Sequence, residues 1–122
     1  MRGRVLLLAA LLAPVVLAAA GGCGAEARAA GSGNSTNDRL LAMPEAQRAQ
    51  ALGNSLHKGC VGVATFPMGV TTSGHARGFA YWSVRCRDGK SYAVQIPPRG
   101  RNAVVVDCQA LQGTGRECFK KF

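Results

Sequence analysis

The sequence predicts an α+β domain in which one N-terminal helix packs on a small antiparallel sheet of about four strands, stapled by two disulfides. Residues 79–108 alternate apolar and polar side chains and contain two turn signals, a pattern typical of strands. Residues 44–56 place leucine and alanine on one helical face. Four of the five cysteines fall within residues 60–118, and small exported domains commonly add disulfides to a limited core.

Residues 1–22 have the three-part layout of an export signal. Arg2 and Arg4 give a basic start, residues 5–20 form an apolar run broken only by Pro14, and small residues close the segment. The run is short and alanine-rich against the roughly 20 apolar residues of a membrane-spanning helix, which makes an uncleaved anchor the weaker interpretation. We therefore predict a signal peptide and an exported protein of the cell envelope or periplasm.

Cys23 determines the type of export signal. Residues 20–23 (AGGC) resemble the end of a bacterial lipoprotein signal, although that family prefers leucine where this chain has Ala20. The resemblance implies that Cys23 is lipidated, becomes the new N-terminus and anchors the protein to a membrane. The chain has five cysteines, so the other four form an even set only if Cys23 has a separate fate. Cleavage after Ala20, which would give a soluble periplasmic or secreted protein, is the alternative.

Residues 23–37 are rich in glycine, alanine, serine and asparagine, which predicts a flexible tether. The folded domain then spans residues 38–122 and is a single domain by its length. Residues 44–56 predict its one helix, interrupted or ended near Gly53, because Pro44 suits a first helical position and Glu45 favours the positive end of the helix dipole. The thin apolar face makes this helix dependent on packing against the sheet.

Three strands are predicted in the middle of the domain. Residues 60–66 alternate weakly and predict the first strand, whereas residues 67–78 contain three glycines and a proline and predict a long turn or mobile loop. Residues 79–86 and 91–96 predict two further strands, each with one apolar face, because apolar and polar residues alternate along them.

The loop between the second and third strands determines which side chains face each other. A two-residue loop at Asp88 and Gly89 would place the apolar residues of one strand on the polar side of its neighbour. A three-residue loop at residues 87–89, with Gly89 in the left-handed conformation, aligns the two apolar faces. We therefore predict the three-residue loop and the pairs Val84 with Tyr92, Trp82 with Val94, and Ala80 with Ile96.

A fourth strand follows a proline stop. Pro97 and Pro98 end the third strand, because proline cannot donate to a strand ladder. Residues 99–102 make the return turn and residues 103–108 supply a valine-rich last strand. Residues 109–112 then predict one helical turn.

The strand order ranks the possible disulfides. If the first strand lies antiparallel beside the second, Cys60 at the start of one comes next to Cys86 at the end of the other. Cys86 and Cys108 end strands that are separated by a third, about 9.5 Å across two strand spacings, which is too far for a bridge. We therefore predict the disulfides Cys60–Cys86 and Cys108–Cys118.

Neither a metal site nor a catalytic site is predicted. The cysteines lack the C-x-x-C spacing of structural zinc sites and of thiol–disulfide exchange. A copper-handling site could be built from His57, Met68 and His75, but their spacing matches no known ligand set, and we interpret the histidines as exposed polar residues. The carboxylates are scattered, so we predict a protein that is not an enzyme and has no cofactor.

Charge is the most informative remaining feature. From residue 57 onward there are ten Lys and Arg against three Asp and Glu, a net charge of +7. Such a surface attracts anionic envelope components, namely lipid head groups, glycans or an acidic protein, whereas the export signal disfavours nucleic acid as a partner. A solvated surface with no dedicated partner is the alternative. The predicted anion-binding residues are Arg85, Arg87, Lys90, Arg99 and Arg101.

Two resemblances to exported bacterial proteins bear on function. Residues 82–92 (WSVRCRDGKSY), then Cys108 and a late Cys118-Phe119, are similar to a pattern in small exported proteins to which no activity is assigned. That resemblance implies fold and export only. The hairpin of residues 84–96 is also similar to membrane-anchored lysozyme inhibitors, from which the cysteine-rich tail departs, and a cationic sheet would repel the cationic lysozyme.

These observations predict a non-enzymatic binding or structural accessory module of the bacterial cell envelope, with a basic face for an anionic partner. The alternative is an envelope protein that inhibits a hydrolase, as lysozyme inhibitors do, or that handles copper. An inhibition assay and a copper titration would distinguish these possibilities.

Overall fold

The computed structural model describes residues 31–99 and 102–122, and these form a four-stranded antiparallel sheet with two helices on one face. The elements in chain order are α1 (Ser35–Ala42), α2 (Glu45–Ser55), β1 (Gly62–Val70), β2 (Ala80–Cys86), β3 (Ser91–Ile96), β4 (Val104–Asp107) and a 3-10 helix (Cys108–Leu111). The strands lie in the order β1-β2-β3-β4. The predicted α+β class is therefore confirmed. The predicted signal peptide, residues 1–22, and Cys23 lie outside the described residues.

The hairpin of β2 and β3 has the predicted register. Ala80, Trp82 and Val84 pair with Ile96, Val94 and Tyr92. Gly89 has a φ of 88°, the left-handed conformation that the three-residue loop requires. The Cys86 N–H closes the loop by donating to the Lys90 carbonyl oxygen at 2.8 Å.

The core lies between the helices and the apolar face of β2 and β3. Trp82 and Val84 are fully buried at its centre, and α2 covers β1 and β2. The contact between α2 and β1 is close because a glycine lies on each side of it. A Cβ atom on Gly62 would come within 1.9 Å of the Ala49 carbonyl oxygen, and one on Gly53 within 2.7 Å of the Gly62 nitrogen. Any side chain at either position would therefore separate the helix from the sheet.

The helical region differs from the prediction. The helix predicted at residues 44–56 is α2, with Pro44 as its N-cap residue, but α1 precedes it and includes three residues assigned to the tether. The domain therefore does not begin at Asp38, and residues 31–37 are part of the fold rather than of the predicted tether of residues 23–37.

Two buried asparagines explain why these polar residues fold. The Asn34 side chain accepts from the Asn37 N–H at 3.0 Å, and its Nδ2 donates to the carbonyl oxygens of Gly78 and Ile96, both at 2.9 Å. The Asn37 Oδ1 accepts from Trp82 Nε1 at 2.9 Å. Every one of these polar groups is paired inside the domain, which a composition typical of linkers does not reveal.

The strand boundaries also differ from the prediction. β1 begins at Gly62 and continues to Val70, through part of the segment predicted as a loop. Pro67 is tolerated because β1 is an edge strand, and the register shifts between Pro67 and Gly69 as in a β-bulge. β4 is shorter than predicted, because the chain turns into the 3-10 helix at Cys108.

Both predicted disulfides are present. The Cα atoms of Cys60 and Cys86 are 5.2 Å apart, and those of Cys108 and Cys118 are 5.8 Å apart. The first disulfide joins the start of the chain segment that forms β1 to the end of β2, beside the core. The second closes the loop that carries the 3-10 helix. Among the described residues, none of the helices is long and apolar enough to cross a membrane.

Asp38 in α1 has a shifted pKa. Its carboxylate accepts from Ser32 Oγ at 2.7 Å and from the Ser32 N–H at 3.2 Å, and these hydrogen bonds lower the pKa of Asp38 from its ordinary value. Because the folded-state pKa is the lower one, the interaction stabilises the fold above the unfolded-state pKa. Its contribution is lost as the pH falls through the folded-state pKa.

We expect Ser32→Ala to raise the pKa of Asp38 toward its ordinary value, because the hydroxyl donor is the largest cause of the shift. An NMR titration of the Asp38 carboxyl carbon measures the change. Ser35→Ala removes an exposed hydroxyl near the same helix end and should leave the titration unchanged. Equal titration curves in the wild type and Ser32→Ala would contradict the assignment.

Candidate anion-binding site

The face of the sheet opposite the helices is occupied by the end of the chain. Residues 116–122, called here the tail, lie along the side of β1 and β2 that carries Met68, Tyr81, Ser83 and Arg85. We call this side of the sheet together with the tail the tail face. Ser83 is fully buried although it lies on the polar side of the sequence pattern. The polar face of the hairpin is therefore covered at its centre rather than open to solvent.

Several local interactions hold the tail in place. The disulfide at Cys118 fixes its middle, and the Phe119 N–H donates to Ser83 Oγ at 2.8 Å. Phe119 has a φ of 61°, so the chain bends sharply at this residue. The Phe122 N–H then donates to the Met68 carbonyl oxygen at 3.4 Å. Because both hydrogen bonds use backbone donors, they do not depend on the identity of the Phe119 and Phe122 side chains.

Arginine side chains lie over aromatic rings on this face. The Arg85 guanidinium carbon is 4.9 Å from the centre of the Phe119 ring. That of Arg116 is 5.8 Å from the Tyr81 ring centre and 5.6 Å from that of Phe122. Within residues 31–99 and 102–122, neither guanidinium forms an ion pair or donates a side-chain hydrogen bond. The rings position the two cations and leave their N–H groups available to an anion.

A cationic cleft of about 130 Å³ opens beside Arg116, and Met68 and Phe122 form its apolar wall. The cleft also contains Glu117, Lys120 and Lys121. Lys120 Nζ is 2.6 Å from the Glu117 carboxylate, so these two charges neutralise each other locally. Arg116 and Lys121 have no carboxylate partner in the described part of the chain, and they leave the cleft positively charged.

The predicted anion-binding residues do not form one patch. Arg85 lies on the tail face, and Arg87 and Lys90 lie exposed in the β2–β3 loop just beyond it. Arg99 follows the other end of β3, roughly 17 Å along the strand from the loop. Arg101 lies outside the described residues.

The cleft is formed by tail residues that were not among the predicted anion-binding residues. Arg116, Lys120 and Lys121 contribute to the total charge, but no sequence pattern places them on a surface. The available signal is the pair of lysines between two phenylalanines in residues 119–122, directly after a half-cystine. Only the hydrogen bonds to Ser83 and Met68 show that this short segment folds back onto the sheet.

The residues considered for copper are placed differently. His57 and His75 are exposed, whereas Met68 is buried. His57 has a φ of 55° and its N–H donates to the Asn54 carbonyl oxygen at 3.3 Å, which is the geometry of a residue that ends a helix. Across residues 31–99 and 102–122, no three His, Cys, Asp and Glu side chains come together as possible metal ligands.

Comparison of the chain with protein-family models, with curated proteins and with solved structures finds no match in any of the three. The geometry of the tail face therefore has to indicate which groups the domain can bind. Fixed guanidinium groups and an open cationic cleft can bind phosphate, sulfate or carboxylate groups through charge-assisted hydrogen bonds. The exposed Phe122 ring beside them offers an apolar contact in addition.

Proposed function

We propose that this domain is a non-enzymatic binding module of the bacterial cell envelope that holds an anionic partner against the tail face. One observation carries the proposal: Arg85, Arg116 and Lys121 lie on one face without carboxylate partners among the described residues. Aromatic rings position the two arginines there. Charges scattered over a solvated surface attract no particular partner. Cations held together on one face create a positive potential that attracts an anionic surface.

The two disulfides support the proposal that the protein is exported to the cell envelope. Two disulfides in a domain of this size are typical of proteins that fold in an oxidising environment. We propose export by residues 1–22 and lipidation of Cys23, which would hold the domain next to a membrane. That compartment disfavours nucleic acid as a partner, so an anionic lipid, glycan or protein is the appropriate class of partner.

The tail face favours an anionic partner over an inhibited lysozyme. An inhibitor must present a surface complementary to its enzyme, and lysozyme is cationic. The cations of the cleft and Arg85 would face a surface of the same sign. A copper-handling function has no support from the placement of His57, Met68 and His75 described above.

Neutralising two cleft cations should weaken binding to an anionic surface. Each Lys or Arg near anionic lipid contributes about 1 kcal/mol, so Arg116→Gln with Lys121→Gln should reduce affinity roughly 30-fold. Sedimentation with phosphatidylglycerol vesicles and retention on dextran sulfate at two salt concentrations measure this change. Wild-type binding should fall steeply as salt increases.

Arg39→Gln with Lys58→Gln is the matched control, since it removes the same two charges from the helix side of the sheet. Arg39 belongs to α1, and the Lys58 amine lies 5.9 Å from the centre of the Tyr92 ring. This variant should retain most of the wild-type affinity. Equal losses in the two double variants would show that net charge governs binding and would refute a role for the tail face.

A further inference from the structure

We infer that the anionic partner is a phospholipid surface, with Arg116 and Lys121 at the lipid phosphates and Phe122 inserted beside them. This inference rests on the proposed function, because it assigns a partner class to the same face. A soluble glycan or an acidic protein would use the charges of the tail face. A lipid surface would use its charges and its exposed apolar surface together.

Phe122 is the feature that distinguishes these partners. It is 56% exposed, the most exposed of the large hydrophobic residues in the described part of the chain. Its ring is packed on one side, because it contacts the Tyr81 ring edge to face with the ring centres 5.2 Å apart. Its backbone N–H is bound to Met68. The ring is therefore held in a defined position at the surface while more than half of it remains open to contact.

Charge and apolar surface meet at the same two side chains. Arg116 and Phe122 line the cationic cleft on one side and a small apolar cavity of about 60 Å³ on the other. Met68 and Tyr81 contribute to the wall of that cavity. A lipid surface that reaches Arg116 can therefore also cover the Phe122 ring. Aromatic rings flanked by cations are characteristic of the boundary between lipid head groups and acyl chains.

The cleft fits a phosphate group in charge and access. Its volume of about 130 Å³ exceeds the roughly 10–15 Å³ that one water molecule needs, so a small anion with some of its hydration can enter. Arg116 offers the planar fork that matches phosphate oxygens, and Lys121 adds a mobile ammonium group. Lys120 is paired with Glu117 and therefore contributes less to the positive charge available to an anion in the cleft.

The first test is Phe122→Ala, measured on phosphatidylglycerol vesicles and on dextran sulfate in parallel. Insertion of a ring that is already partly covered should be worth roughly five- to tenfold in affinity, so the variant should lose that factor on vesicles. Its loss on dextran sulfate should be smaller, because the Tyr81 ring still lies against the Arg116 guanidinium. Leu41→Ala is the matched control: Leu41 in α1 is 50% exposed and should leave both affinities unchanged. Thermal unfolding shows that each variant remains folded.

The second test replaces Phe122 with tryptophan, whose fluorescence reports whether the side chain at this position contacts lipid. The chain has one tryptophan, Trp82, which is fully buried, so Phe122→Trp adds an exposed fluorophore whose spectral changes can be assigned. Its emission should shift to shorter wavelength on phosphatidylglycerol vesicles and be quenched by lipids brominated on their acyl chains. Leu41→Trp should show neither effect.

The outcomes separate the two proposals. If Phe122→Ala binds vesicles as the wild type does, and the indole introduced by Phe122→Trp is not quenched by brominated lipids, the lipid inference is wrong. Dextran sulfate binding that still depends on Arg116 and Lys121 would then leave a glycan or acidic protein as the partner. If the wild type binds neither vesicles nor dextran sulfate, the proposed function itself fails.

Discussion

Trp82→Ala should lower the free energy of unfolding by about 3–5 kcal/mol, the range for truncating a large aromatic residue in a core. Trp82 is fully buried at the centre of β2. It also joins two layers of the fold, because its Nε1 donates to Asn37 in α1 and the Arg48 guanidinium lies 5.3 Å from its ring. The free energy of unfolding of a native domain is only about 5–15 kcal/mol in total, so the variant should be close to unfolding at room temperature.

Urea denaturation followed by far-ultraviolet circular dichroism measures this loss without relying on tryptophan emission. Trp82→Phe is the matched variant, since it retains an aromatic ring and removes the N–H. The Asn37 Oδ1 would then lose its sheet partner while the Asn34 network stays in place, at a cost of about 1–3 kcal/mol. A Trp82→Ala protein within about 1 kcal/mol of the wild type would contradict the central position of this residue.

Replacing both Cys60 and Cys86 with alanine should cost about 3.5 kcal/mol from chain entropy alone. The disulfide joins residues 26 apart in sequence, and both cysteines are buried, so lost packing adds to the entropic cost. Alanine is preferable to serine here because a buried hydroxyl would need a hydrogen-bond partner. Urea denaturation of the double variant against the oxidised wild type measures the change.

Removing the Cys108–Cys118 disulfide should have a smaller effect on stability than removing Cys60–Cys86. Its sequence separation is 10, and the same relation gives about 2.8 kcal/mol. Cys108→Ala with Cys118→Ala should therefore destabilise the domain less, while releasing the tail from Ser83 and weakening binding to anionic vesicles. The Cys60 and Cys86 variant should bind normally as long as it remains folded. The opposite ranking, with the tail disulfide dominating stability, would show that the core depends on the tail face.

The sheet could be derived from the sequence because its constraints are local. The alternation around Trp82, together with one glycine in the β2–β3 loop, leaves a single register that aligns the apolar faces. The strand order then places Cys60 beside Cys86, and parity assigns the remaining disulfide. Each step uses residues that are close together in the chain or on neighbouring strands.

The regions that were predicted wrongly depend on long-range hydrogen bonds of polar residues. Asn34 and Asn37 resemble linker residues in composition, and only their bonds to Ile96 and Trp82 make them part of the core. Pro67 normally indicates a loop, but an edge strand with a bulge accepts it. The tail was missed for the same reason, since its path depends on the hydroxyl of Ser83, which lies 36 residues before Phe119.

Asn34 has a consequence for how the domain would be oriented on a bilayer. Through its bonds to Gly78 and Ile96, it fixes the N-terminal entry of the fold at the end of the sheet where Ala80 pairs with Ile96. Phe122 lies at that same end, within contact distance of a Cβ atom built on Gly69, near Tyr81. If Cys23 is lipidated as proposed, the 11 residues from Cys23 to Asn34 limit the distance between the lipid and this end of the sheet to at most about 40 Å. Such an anchor would raise the effective concentration of the membrane around Phe122, so that a weak insertion of this ring would be enough for binding.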